Sequence, residues 1–210
     1  MTEMTAAERI RVWDFPTRAG HWLLAATFFL AYLTGDSEAW RMVHVTAGCA
    51  LAGVLAFRLV WGFIGTRYAR FRSFLFSPRD VLAYLRGLLK QKHDPAHWTG
   101  HNPAGSYAIY ALLLLGIAVA TTGFCAWFEI GGDAVADAHD VLTTIMLCVV
   151  GLHVTGVIIS GVLHHENLVR SMIDGYKYGR REDGIATAEI AGFLLLFGFV
   201  ACAVLLEQTL

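Results

Sequence analysis

The sequence predicts an all-α, polytopic membrane protein, and three observations carry that expectation. Of 210 residues, 56% are hydrophobic and only 16% charged. Ordinary soluble domains hold about 45–50% apolar and about 25% charged residues, so the excess must face something other than water. The apolar residues gather into five stretches, each near the roughly 20 residues that cross about 30 Å of hydrocarbon. The cationic residues gather between those stretches, on alternate sides. Low hydrophobicity, the signature of disorder, is absent. Twenty-one glycines without a period and four cysteines exclude collagen-like and disulfide-scaffold classes. A net charge of −1 provides no global field for nucleic acid, so none is expected as a partner.

The first stretch covers residues 19–35, and Pro16 is a plausible first-turn residue that lengthens it. It does not read as a cleavable signal peptide. Its basic flank is interrupted by acids, no small-residue cleavage site is evident, and four more stretches follow. The others cover residues 43–64, 105–128, 138–163 and 187–206. Segments 1–18, 65–104 and 164–186 together hold 14 Lys and Arg, whereas the alternate loops hold one, Arg41. By the positive-inside bias the N-terminus is cytoplasmic and the C-terminus lies on the opposite, periplasmic face. Trp22, Trp40, Trp61 and Trp127 lie near span ends, as an interfacial aromatic belt requires. Within the long basic loop, Ser77-Pro78 is a cap followed by a first-turn proline. Val81, Leu82, Leu85, Leu88 and Leu89 then recur at helical spacing among Arg79, Arg86 and Lys90. This predicts an amphipathic helix, either on the membrane surface or packed on neighbouring loops. Cys49, Cys125, Cys148 and Cys202 show no C-x-x-C spacing and read as small apolar residues. No C-x-x-C-H occurs, so no covalently attached haem is expected.

Four of the nine histidines lie in or at the ends of spans, where an ionisable group is costly and a functional candidate by default. Span direction places His21 and His153 near the cytoplasmic face, and His44 and His139 near the outer face. His139 and His153 are 14 residues apart, which is about 21 Å along a helix and returns within about 40° of the same face. Each matched pair is placed to clamp a flat metal macrocycle between helices. The arrangement fits two bis-histidine haem b groups, because imidazole suits haem iron. Gly48, Gly116, Gly123 and Gly151 permit close approach, although ordinary helix contacts explain them too. A proton relay, or simple interhelical hydrogen bonds, are the alternatives for the histidines. Arg58, 14 residues after His44, either answers an anionic or acceptor group at the inner level or snorkels to headgroups. His93, His97 and His101 are four apart, but Pro95, Gly100 and Pro103 interrupt any helix that would align them for zinc. His164 and His165 read as interfacial.

Val12-Trp-Asp-Phe-Pro-Thr-Arg-Ala-Gly-His-Trp-Leu23 resembles the opening of the b-type cytochrome subunits of membrane-bound nickel–iron hydrogenases, within the bacterial cytochrome b561 superfamily. Arg41-Met-Val-His-Val-Thr-Ala-Gly48, the run from Arg58 to Phe71, Gly100-His-Asn-Pro103, the His139–His153 step and Ser171-Met-Ile-Asp-Gly-Tyr-Lys177 are similar in order and spacing. The resemblance covers residues 12 to about 178. It implies a four-helix transmembrane dihaem bundle over residues 1–178; residues 179–210, a linker and an additional C-terminal helix without histidine, depart from the family's four-span pattern. It implies His21, His44, His139 and His153 as axial ligands, and Arg58, His101 and Asn102 as contacts to propionates or quinone. The implied function is electron transfer in a bacterial inner membrane, between quinone and a periplasmic redox partner. The loops at 36–42 and 129–138 are short, so a c-type cytochrome suits them at least as well as a hydrogenase. A superoxide:quinone oxidoreductase, a non-redox transporter or sensor, and a plain membrane anchor are the rival readings.

Overall fold

A computed structural model describes residues 8–89, 98–186 and 189–209. The helices are α1 (Phe15–Thr34), α2 (Arg41–Ile64), α3 (Pro78–Leu89), α4 (Pro103–Trp127), α5 (Gly132–Leu163), α6 (Leu168–Asp174) and α7 (Glu189–Thr209). Short 3-10 turns precede α2 and α3.

Each helix start has a local cause. At α1 the Asp14 Oδ1 accepts from the Thr17 amide at 2.7 Å, and Pro16 occupies the first turn, where its missing N–H is not needed. The other oxygen of Asp14 accepts from Trp61 Nε1 at 3.1 Å and Thr66 Oγ1 at 2.6 Å, so the cap also ties α1 to the end of α2. Trp61 is therefore buried at 3% exposure and does not join the interfacial belt expected of it. Before α3, Asp80 Oδ2 accepts from both the amide and the hydroxyl of Ser77. At α4 the Asn102 side chain accepts from the Gly105 amide, followed by Pro103 in the first turn. Helix α5 begins at Gly132, six residues before its expected start, behind the left-handed Gly131. Its 32 residues extend about 48 Å, longer than the roughly 30 Å of a bilayer's hydrocarbon.

Among the described residues, four helical segments are long and apolar enough to cross a membrane: Glu38–Ile64, Pro103–Trp127, Gly132–Leu163 and Glu189–Gln208. Helix α1 is not among them, because Arg18, His21 and three threonines dilute its apolar content. It packs along α2, α4 packs along α5, and α2 meets α4. Phe28, Leu51, Leu55, Leu113, Val119 and Met146 form the core these four share. Helices α1 and α5 have little direct contact. Helix α7 lies against α2 and α1, with Leu196 buried among Val54, Phe57 and Trp61.

The chain is not purely helical. Strand β1 (Glu8–Arg11) pairs antiparallel with β2 (Tyr176–Gly179), from Glu8↔Gly179 to Arg11↔Tyr176. Four-residue strands are too short for an alternating pattern to register in a sequence. The Val12 and Trp13 amides both donate to Gly175 O, at a turn where Gly175 has φ +88°. Ile10, Val12, Trp13 and Tyr68 are buried beneath this strap.

Candidate functional site

Two groups of polar side chains lie inside the bundle, one at each end. At the end away from the strap, α2 starts at Arg41 and places His44 one turn in, while α5 starts at Gly132 and places His139 two turns in. Their ring centroids are 6.2 Å apart and the planes are near perpendicular, at 88°. Both Nδ1 atoms are engaged elsewhere. His44 Nδ1 lies 2.8 Å from Ala31 O of α1. His139 Nδ1 lies 3.1 Å from Val119 O and 3.1 Å from Thr122 Oγ1, both on α4. An imidazole whose Nδ1–H donates to a carbonyl has its Nε2 lone pair left for a metal. Two metal–imidazole bonds of about 2 Å, with about 1 Å from nitrogen to ring centre on each side, separate two centroids by about 6 Å. The pair thus has the spacing and the tautomer control that one metal ion between two imidazoles requires.

The opposite end, beneath the strap, gathers His21, His153, His101 and Arg58. His21 sits in the second turn of α1, edge-on to Trp22, with its Nδ1 buried and without a hydrogen bond. It is within electrostatic reach of His153 on α5. The Arg58 guanidinium lies 4.9 Å from the Phe71 ring centre and 6.0 Å from that of Phe74, and its Nη1 is buried without a partner. His101 is sandwiched by Trp13 and Phe74, at 4.7 and 4.5 Å between centroids, and its Nδ1 is likewise orphaned. Burial, and then the charge of Arg58, hold the His101 imidazole down to about 3. A buried guanidinium nitrogen without a partner calls for an acceptor-rich or anionic group. The carboxylates of a haem and the carbonyls of a quinone both fit that description.

The structure therefore brings together His44 with His139, and His21 with His153, His101 and Arg58. Asn102 is differently employed: its carbonyl caps α4 and its amide donates to Ser160 Oγ on α5 at 3.3 Å. His93 and His97 lie outside the described residues. His164 Nε2 meets the Tyr84 hydroxyl at 3.3 Å, linking α3 to the end of α5. Two features escape a reading of the sequence. Asp14, three residues before Thr17, carries an N-cap signal that is visible once α1 is given its true start. The buried ion pair of Lys177 with Glu166 has no such signal, since each residue reads as ordinary loop charge.

The sequence model of the family described as prokaryotic cytochrome b561 matches residues 12–175. The chain is 27% identical over 143 residues to a probable Ni/Fe-hydrogenase 1 B-type cytochrome subunit of Escherichia coli K12, covering 56% of this chain and 60% of that protein. A probable Ni/Fe-hydrogenase B-type cytochrome subunit of Azotobacter vinelandii is 24% identical over 212 residues, covering 80% and 88%. One of Rhizobium leguminosarum bv. viciae is 24% identical over 223 residues, covering 84% and 92%. No solved structure matches the chain.

Proposed function

The chain belongs to the prokaryotic cytochrome b561 family, and from that premise we propose that it carries electrons across a bacterial inner membrane through two haem b groups. His44 and His139 would hold one group, and His21 and His153 the other. The 6.2 Å ring pair with both Nδ1 atoms committed to carbonyl oxygens is the observation that supports this most directly. A haem held by these imidazoles would supply one-electron chemistry there.

The protein's own part is to hold and to bias. Ala31, Val119 and Thr122 fix the ring orientation of the outer pair. Arg58 and His101, desolvated and unpartnered, favour negative charge or carbonyl oxygen at the inner end. Quinone exchanges there, beside Arg58 and His101. Helix α1 completes five spans, with the N-terminus and the strap cytoplasmic. The distribution of 14 Lys and Arg against one supports this orientation. The relatives' names point to a hydrogenase as the outer partner. The short loops at the outer end equally suit a periplasmic c-type cytochrome.

A reduced-minus-oxidised spectrum of the detergent-purified protein, with stoichiometry from the pyridine haemochrome, tests the reading. Two haem b per chain are expected, and His44→Ala and His153→Ala should each remove one. Haem-free protein from haem-replete cells would overturn the proposal.

A further inference from the structure

One buried charge pair has no part in the arrangement above. Lys177 on β2 is only 3% exposed at its side chain, and its Nζ is 3.0 Å from Glu166 Oε2 and 3.3 Å from Trp98 O. Glu166, in the turn between α5 and α6, keeps 19% of its side chain exposed, while its Oε1 is buried with no hydrogen bond. It lines a surface depression with Val157, Gly161, His165 and Asn167. On the inner side, Lys177 Nζ reaches the backbone at Trp98, three residues before His101, whose Nδ1 is also without a partner.

Ionisable groups therefore run from the surface at Glu166, through Lys177, to His101 and Arg58. Spare hydrogen-bonding valence occurs at both ends of the run. A buried ion pair is a weak source of stability, because desolvation offsets most of its attraction. Stability alone is thus a poor reason for a lysine to occupy this position.

We propose that Glu166 and Lys177 form the proton path between the aqueous phase at the strap end and the quinone site, a role that rests on the electron-transfer reading above. A quinone becoming a quinol takes up two electrons and two protons. The electrons come from the redox groups held by the histidines, and the protons come from water. Glu166 takes a proton from water, and Lys177 releases its own inward and is recharged by Glu166. Quinol oxidation runs the same transfers in reverse, with both protons leaving to water. Glu166 and Lys177 touch neither quinone nor haem in this scheme.

The test uses haem-loaded protein reduced by a short-chain quinol, followed at the haem absorbance, with dithionite as a reductant that needs no proton path. Glu166→Gln should slow quinol-driven reduction by roughly tenfold to a hundredfold, with haem content and the dithionite-reduced spectrum unchanged. The double variant Glu166→Gln/Lys177→Met should remain slow. Melting of the haem-loaded protein provides a separate readout. Glu166→Gln should lower the midpoint by leaving Lys177 unpaired, and the double variant should restore it. Recovery of the quinol rate in the double variant would show the pair to be purely structural and overturn the path. An unchanged rate in Glu166→Gln would do the same. A loaded wild-type protein that quinol does not reduce would instead refute the quinone reading itself.

Discussion

Gly123 on α4 sets the position of the His139 ring, and adding one methyl group tests that. A Cβ at Gly123 would lie 2.9 Å from His139 Cε1, 3.3 Å from Nδ1 and 3.6 Å from Nε2. Ordinary van der Waals contact begins at 3.4 Å, so in Gly123→Ala the imidazole must back away by about 0.5 Å. The ring is held by contacts of 3.1 Å to Val119 O and Thr122 Oγ1. These already sit near the outer edge of the usual range of about 2.7–3.2 Å, so a shift of that size breaks them. A lost neutral hydrogen bond costs about 1 kcal/mol, which is roughly fivefold in affinity for a group bound through the other ring nitrogen, Nε2. Haem titration of the apoprotein, resolved by the spectra of the two sites, should show weakened binding at the outer site only. Gly156→Ala is the control, because a Cβ there meets nothing within 4 Å. Wild-type affinity at the outer site in Gly123→Ala would refute the claim that α4 holds the ring.

Other outcomes follow from the same contacts. Asp14→Ala strands the Thr17 amide, the Trp61 indole and the Thr66 hydroxyl together, and should destabilise the protein by about 3 kcal/mol, read as a lower melting midpoint. Gly53→Ala drives a methyl to 2.7 Å from Phe199 O and 2.9 Å from Val200 Cα, backbone atoms that cannot swing aside, so α7 must shift. Its midpoint should fall, while that of Gly198→Ala, where a Cβ meets nothing within 4 Å, should hold. His101 is held down to about 3 from an ordinary 6.5, first by burial and then by Arg58. Between those values the unfolded chain binds a proton that the folded protein refuses, so stability is full above pH 6.5 and declines as pH falls towards 3. His101→Phe should flatten that slope in acid-unfolding curves.

The long apolar helices and the cap at Ser77 were legible because their signals are local, a run of about 20 apolar residues or a Ser-Pro step. The first helix shows where that stops: Arg18 and His21 lower its apolar content, so its place beside α2 depends on Phe28 and the Asp14 cap rather than on hydropathy. The matched depths of His44 and His139 followed from the direction of their spans, but their carbonyl partners on α1 and α4 did not. Which carbonyl lies opposite an imidazole is set by helix rotation, which no single segment encodes. Trp61 illustrates the same limit, since a tryptophan at a span end faces the interface unless a buried carboxylate claims its N–H. The strap was invisible for a related reason, its two strands being joined only by tertiary contact.

That strap imposes an order on synthesis. Its N-terminal strand leaves the ribosome first, yet its partner register runs out to Gly179. Every histidine of both pairs has been made before β1 can pair. The end of the bundle that holds His21 and His153 therefore has no strap across it until the last of the four core helices has been synthesised. The same late closure buries Val12 and Trp13 and seats Trp13 on His101. A chain truncated before residue 176 would thus keep all four imidazoles and lack the clasp.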